Sequence, residues 1–185
     1  FISPQGIINE FLQPMLESKL LDSEEINEVT QRELLNGYAI NESGERLQLI
    51  VVDEKSLIEN LSDDEIFLSE RVSYQKQFAN TSKFIMRAFT GSENENNQDA
   101  DPVKTLLTYL SDNEAKIKFD VVEIFLLSLT SNVIRNREGL ELKDIYFRED
   151  KETIYIENNG ERTKKELFFV KKLINLNFYA NIEDR

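Results

Sequence analysis

A short segment that is apolar on both of its faces constrains this fold more than any other feature. Within residues 46–52 (RLQLIVV), period-two spacing places Leu47, Leu49 and Val51 on one side of an extended strand. Ile50 makes the opposite side apolar too. A strand with two apolar faces is normally covered on both sides. The segment therefore predicts a strand inside a sheet that carries helices on both faces.

The residues before this strand predict the first arm of a hairpin. Residues 35–40 (LNGYAI) have the composition of a strand. Between the two arms, residues 41–45 (NESGE) are of types that tolerate tight backbone geometry. Asp53 follows the second arm directly, so the sequence predicts a hairpin that ends on an acidic side chain.

The rest of the chain alternates between helical and extended patterns. Helices are predicted within residues 1–21 with a kink or break near Gln13, from Ser62 or Asp63 toward Phe89 with a possible break near residues 80–81, and after Pro102. Residues 117–129 predict a second buried strand, and residues 153–156 predict another before a turn at residues 158–160. The pattern of residues 163–176 predicts a final helix.

This order of elements predicts an α/β fold, with three layers built from a mixed sheet flanked by helices. A chain of 185 residues can bury one substantial core, so residues 1–185 are expected to form a single domain. The sequence starts at Phe1 rather than at a methionine, and we interpret it as the N-terminal part of a longer chain. Residues 91–101 (GSENENNQDAD) carry no large apolar side chain and are predicted to form a mobile loop.

Composition excludes several classes of chemistry. The chain has no cysteine, which excludes disulfides and suits a cytoplasmic protein, and no histidine, which leaves serine- or cysteine-type triads without a base. Its formal net charge of −13 disfavours nucleic acid over most of the surface. The one dense basic cluster, residues 162–165 with Lys171 and Lys172, is interpreted as a solvated helix face. No apolar run is long enough to span a membrane.

The hairpin resembles the N-terminal region of the AIPR family of abortive-infection phage-resistance proteins. The resemblance is carried by the step Asn36-Gly37-Tyr38, by the acidic turn and by the apolar strand that ends in Asp53. It extends over nearly the whole chain, through the helix after Pro102, the strand of residues 121–127 and the strand-helix ending from Thr153. It implies a non-catalytic sensing or docking domain of a phage-defence protein, with the chemistry elsewhere in the parent chain. Its partner would be another protein or the C-terminal part of its own chain, with neither membrane nor nucleic acid bound by this domain alone and no cofactor.

The same layout is similar to the restriction-endonuclease core of the PD-(D/E)xK nucleases, in which two carboxylates hold Mg²⁺ and a lysine orients the attacking water. This resemblance implies catalytic roles for Asp53 and Lys55, and Mg²⁺ ligation by Asp53 and Glu54. The family's first acid falls on Asn36, whose amide is neutral. A second alignment places the catalytic acid near Val51 and puts Asp53 where the lysine belongs.

Three hypotheses follow for the function. A non-catalytic defence domain is favoured by the acidic composition, by Asn36 and by the lack of a lysine inside the strand. A Mg²⁺-dependent nuclease is the alternative, and Mg²⁺ is expected only in that case. A plain protein-interaction module outside defence is the third. Under the favoured hypothesis, Asp53 is a strand-ending acid that contacts backbone amides or a nearby lysine.

Overall fold

In the part of the chain that the structure describes, one helix packs on one face of a six-stranded sheet and three helices pack on the other. The computed structural model describes residues 3–31, 33–57, 67–93, 101–131 and 147–176. The helices in these ranges are α1 (Pro4–Glu17), α2 (Arg71–Thr90), α3 (Pro102–Ser111) and α4 (Asn113–Lys118), with a 3₁₀ turn at Glu54–Leu57. The strands are β1 (Asn27–Gln31), β2 (Leu35–Ile40), β3 (Arg46–Val52), β4 (Phe67–Leu68), β5 (Val121–Leu127), β6 (Thr130–Ser131), β7 (Phe147–Asn158) and β8 (Glu161–Ile174).

The main sheet is mixed, with strand order β1-β2-β3-β5-β8-β7. β1, β2 and β3 form an antiparallel meander, whereas β3, β5 and β8 run parallel and β7 pairs antiparallel with β8 at the edge. The predicted hairpin of β2 and β3 is confirmed, and so is the inner position of β3. β4 and β6 make a separate two-stranded parallel sheet.

Both faces of the sheet are covered, as the two apolar faces of β3 require. On one face, Leu49 belongs to a core that α2 and α3 complete. On the other face, Ile50 and Phe125 pack in a second core with Phe11 of α1. The prediction of an α/β fold with a mixed sheet between helices is therefore confirmed.

Of the kink or break predicted near Gln13, the break is wrong, because α1 continues through Pro14 to Glu17. Proline removes the hydrogen bond that its N–H would have donated to Glu10. Phe11 and Met15 lie on either side of it and are both buried against the sheet, which holds the two turns in one helix. At the other end, the Ser3 hydroxyl caps the helix by accepting from the Gly6 N–H.

The prediction for the following helix is also wrong at its start. α2 begins at Arg71, and Phe67–Leu68 before it form β4. Residues 58–66, which include the predicted capping positions, lie outside the described residues. There is no break near residues 80–81, where the Thr81 hydroxyl donates to the Leu34 carbonyl at 2.8 Å and ties the helix to the start of β2.

The predicted final helix is wrong, since residues 161–174 form the strand β8. Asn159 and Gly160 adopt positive φ angles of 53° and 81°, which close a tight hairpin between β7 and β8. Pairing with β5 then buries Leu167, Phe169 and Leu173, which alternate along the strand. The basic cluster therefore lies on a strand and not on a solvated helix face.

Other predictions fall partly outside the described residues. α3 begins at Pro102 as predicted, and β5 lies within the predicted buried segment. Residues 94–100 of the predicted loop are not among the described residues. None of the helices in the described ranges combines the length and apolarity needed to cross a membrane.

Candidate functional site

The three parallel strands of the sheet each end in a polar residue at the same edge. Asp53 follows β3, Ser128 follows β5 and Asn175 follows β8. Backbone pairing continues one step beyond the strands, since the Asp53 N–H donates to the Leu127 carbonyl at 2.8 Å and the Ser128 N–H donates to the Ile174 carbonyl at 3.0 Å. The carboxyl edge of parallel strands is where open α/β sheets usually bind ligands.

A chain of side-chain hydrogen bonds links these strand ends. The Asn175 side-chain amide donates to the Ser69 hydroxyl at 3.1 Å. The Ser69 and Thr130 hydroxyls are 2.5 Å apart, and the Thr130 and Ser128 hydroxyls are 2.8 Å apart. The Ser128 hydroxyl donates to Asp53 Oδ2 at 2.9 Å. The chain thus crosses from the end of β8, by way of the end of β4, β6 and the end of β5, to the end of β3.

The direction of this chain follows from the number of protons that it contains. Each hydroxyl carries a single hydrogen. Because Ser128 gives its hydrogen to Asp53, Thr130 must donate to Ser128. Ser69 must then donate to Thr130, and it accepts from Asn175 in turn. Every donor therefore points toward Asp53, whose carboxylate is the acceptor at the end of the chain.

Asp53 is held from a second side by α2. The Gln77 side-chain amide donates to its Oδ1 at 3.1 Å, so each carboxylate oxygen accepts a hydrogen bond from a neutral group. The sequence predicted that Asp53 ends a strand, and this is confirmed. Its predicted partners are wrong, because a glutamine amide and a serine hydroxyl take the place of backbone amides or a lysine.

A cavity of about 220 Å³ lies beside this chain. Asp53 and Lys55 both line it, so the structure brings together two of the three residues that the nuclease resemblance selects. Glu54 is in the same 3₁₀ turn but is not among the described residues that line the cavity. Glu70, which the sequence analysis did not single out, contributes the second acidic residue of its wall.

The other nuclease positions have structural roles. Asn36 is only 2% exposed, and its Oδ1 accepts from the Val52 N–H at 2.8 Å. Its carbonyl accepts from the Gln5 side chain at 3.0 Å, so the residue joins β2 to β3 and to α1. Val51 is 1% exposed within the core beneath α2 and α3. The second alignment therefore places the catalytic acid in an apolar core.

These residues do not match a two-carboxylate Mg²⁺ site. Such a site needs carboxylate oxygens directed at the ion from at least two side chains. Asp53 directs its oxygens at Gln77 and Ser128, and Glu54 does not reach the cavity wall. Within the described ranges, no group of three or more acidic side chains is placed to hold a metal ion.

Four residues of the hydrogen-bonded chain were missed from the sequence: Ser69, Ser128, Thr130 and Asn175. A signal for two of them was present, because Ser128 and Asn175 each follow an apolar strand directly, as Asp53 does. The signal at Asn175 was hidden by the prediction of a final helix. Ser69 directly follows the two-residue strand β4 and Thr130 begins the two-residue strand β6, and strands this short show no period.

Comparison with protein-family models, curated proteins and solved structures finds no match to this chain. The fold and the strand-end chain define a mixed α/β domain with a polar carboxyl edge. The resemblances to the AIPR family and to the PD-(D/E)xK nucleases therefore depend on residues of the sequence alone.

Proposed function

We propose that this chain is a non-catalytic docking domain of an abortive-infection phage-defence protein. The defence role is supported by the resemblance of the hairpin in residues 34–55. Its partner is a protein or a further part of its own chain. The absence of cysteine supports a cytoplasmic location.

One observation supports the non-catalytic part of this proposal. Both carboxylate oxygens of Asp53 accept hydrogen bonds from neutral side chains. A Mg²⁺ site of the nuclease type needs a second carboxylate directed at the same ion, and neither of these hydrogen bonds to the described residues brings one to Asp53. Asp53 instead accepts from Ser128 and Gln77, which joins the ends of β3 and β5 to α2. Withdrawing Asp53 would leave the Ser128 hydroxyl without its acceptor in a site where that residue is 2% exposed. An unsatisfied buried donor costs about 1–3 kcal/mol.

The docking part is supported by the sheet face that carries α1. This helix contacts β3 and β5. Farther along the same face, Phe168 of β8 is 37% exposed. The Lys151 ammonium lies 5.7 Å from the centre of its ring. An exposed aromatic ring rimmed by charge is typical of the centre of a protein interface.

The non-catalytic part is tested by incubating the purified chain with single- or double-stranded DNA and either Mg²⁺ or Mn²⁺. We expect the DNA to remain intact, because Asp53 is committed to structural hydrogen bonds and the net charge of −13 repels phosphates. Cleavage that disappears in Asp53→Ala and Lys55→Ala, with folding preserved, would replace this proposal by the nuclease.

A Mg²⁺-dependent nuclease with a restriction-endonuclease-like topology is the second candidate. It is favoured by one observation, that Asp53, Lys55 and Glu70 line the same cavity. In this case Glu70, and not Glu54, would be the second carboxylate that binds Mg²⁺ beside Asp53. Substituting Glu70→Gln would then abolish cleavage, whereas Glu54→Gln would leave it intact.

The docking part is tested by Phe168→Glu in cells that express the protein and are challenged with phage. We expect protection to be lost, because a carboxylate replaces the apolar centre of the interface. The melting temperature should change little, since the side chain is partly exposed and the new carboxylate lies beside Lys151. Val72→Glu is the matched control, because Val72 is 80% exposed on α2. Full protection with Phe168→Glu would contradict docking through this face.

A further inference from the structure

A second and larger cavity lies beside the β7–β8 hairpin. Its volume is about 610 Å³, and none of the residues that line it lines the cavity at Asp53. The walls come from the C-terminal end of α2, from α4 and from both strands of the hairpin. Pockets of about 300–1,000 Å³ are typical of sites for small molecules.

This cavity concentrates positive charge in a chain whose net charge is −13. Arg87, Lys116 and Arg162 all line it, whereas Glu157 is the one acidic residue among its described lining residues. Acidic residues outnumber basic ones by 35 to 22 in the whole chain. The lining therefore reverses the charge balance of the protein.

Lys116 is the most constrained of these cations. It is only 7% exposed, and its ammonium donates to the Tyr155 carbonyl at 3.0 Å. It forms no ion pair with any other described residue. Burial lowers the pKa of Lys116, and the charge of Glu157 acts in the opposite direction. An ammonium has three donors, so two remain for a ligand. A bound anion would offset the cost of burying this charge.

The position of Lys116 is fixed by contacts on both sides of α4. The Asn113 side chain donates to the Glu157 carbonyl at 2.6 Å. The Lys165 ammonium donates to the Lys116 carbonyl at 3.1 Å and also to the Ile117 carbonyl. The lysine is therefore held in place before a ligand arrives, which lowers the entropic cost of binding.

Arg162 is oriented by an aromatic ring. Its guanidinium carbon lies 3.8 Å from the centre of the Tyr155 ring, which fixes the plane of the group by a cation–π contact. Stacking leaves the N–H edge of a guanidinium available, and that edge matches a phosphate or a carboxylate. Arg87 uses its Nε to bind Glu93 at 2.5 Å and has two further nitrogens with N–H groups.

Another part of the cavity wall is apolar and can contact an uncharged part of a ligand. Met86 and Phe89 of α2 and Ile154 of β7 contribute it. We propose that this cavity binds a small organic anion, whose phosphate or carboxylate group contacts Lys116 and Arg162 and whose apolar body lies against Met86 and Ile154. This site goes beyond the proposed docking function and does not depend on it.

The test is calorimetric titration of the whole chain with phenyl phosphate and with benzoate, which separate the two anionic groups. Inorganic phosphate lacks the apolar body and benzyl alcohol lacks the charge, so both should bind more weakly than the better of the two organic anions. We expect Lys116→Met and Arg162→Gln each to weaken that binding by ~10-fold or more. Lys118→Met, on the same helix but outside the cavity, should leave it unchanged.

Several results would overturn the proposal. One is the absence of saturable binding of either organic anion up to about 10 mM. Another is binding of inorganic phosphate or of benzyl alcohol as tight as that of the better of the two organic anions. Equal weakening by Lys118→Met would show non-specific attraction. If Lys116→Met does not fold, Arg162→Gln decides alone, because this exposed side chain can be replaced without disturbing the core.

Discussion

Truncation of Leu49 to alanine lowers the free energy of unfolding by about 2–5 kcal/mol. Leu49 is fully buried and lies between Tyr38 of β2 and Ile124 of β5 in the register of the sheet. Hydrogen bonds hold the backbone on both sides, so the neighbouring strands cannot close the cavity that the missing side chain leaves. The loss therefore combines the transfer free energy of the removed carbons with the cost of that cavity.

Urea denaturation of the two proteins measures this effect. Leu68→Ala is the matched control, because Leu68 is 53% exposed and the same truncation there should change stability by less than about 0.5 kcal/mol. A loss of only a few tenths of a kcal/mol at Leu49 would mean that β3 is not an inner strand.

The central hairpin could be predicted from sequence because its signals are local. Residues 35–40 have the composition of a strand, residues 46–52 place apolar side chains on both faces of a strand, and turn-forming residues lie between them. Burial on both faces followed from Ile50 between Leu49 and Val51. No distant residue was needed for any of these conclusions.

The last strand could not be predicted because its apolar residues fit two periods. Leu167, Val170 and Leu173 fit a helical stripe, whereas Leu167, Phe169 and Leu173 are the ones that the sheet buries. The choice is made by pairing with β5, in which Val121 lies opposite Phe168. A contact between residues so far apart in the chain leaves no mark on the local sequence.

Only part of the candidate site could be predicted, because most of its contacts join residues that are far apart in the chain. Asp53 could be located from the strand that it ends. Its partner Ser128 is 75 residues away, and Gln77 lies on a helix whose start was predicted wrongly. The 3₁₀ turn after β3 also decides that Lys55, and not Glu54, lines the cavity. The spacing of residues in the sequence does not show which of these two neighbours lines the cavity.

Replacing Asp53 with alanine is the second change for which we expect a large effect, a loss of about 2–3 kcal/mol in the free energy of unfolding. It removes both acceptors at the end of the hydroxyl chain, and leaves the Ser128 hydroxyl and the Gln77 amide without them. Asparagine at the same position keeps one acceptor for Ser128. Its amide can donate to the Gln77 carbonyl oxygen after that side chain flips. Both substitutions remove the negative charge, so the difference between them contains the hydrogen bonds and the volume of the side chain but not the charge.

The measurement that tests the structural role of Asp53 most directly is the difference in unfolding free energy between Asp53→Asn and Asp53→Ala, taken from urea denaturation of both variants. If Asp53 is the acceptor that joins the strand ends, the asparagine variant should be more stable by about 1–2 kcal/mol, with the original protein above both. Catalytic acids are often held at a cost in stability, so their removal leaves a protein as stable as before or more so. If the two variants had equal free energies of unfolding, and neither was less stable than the original protein, the result would contradict the account and favour the nuclease.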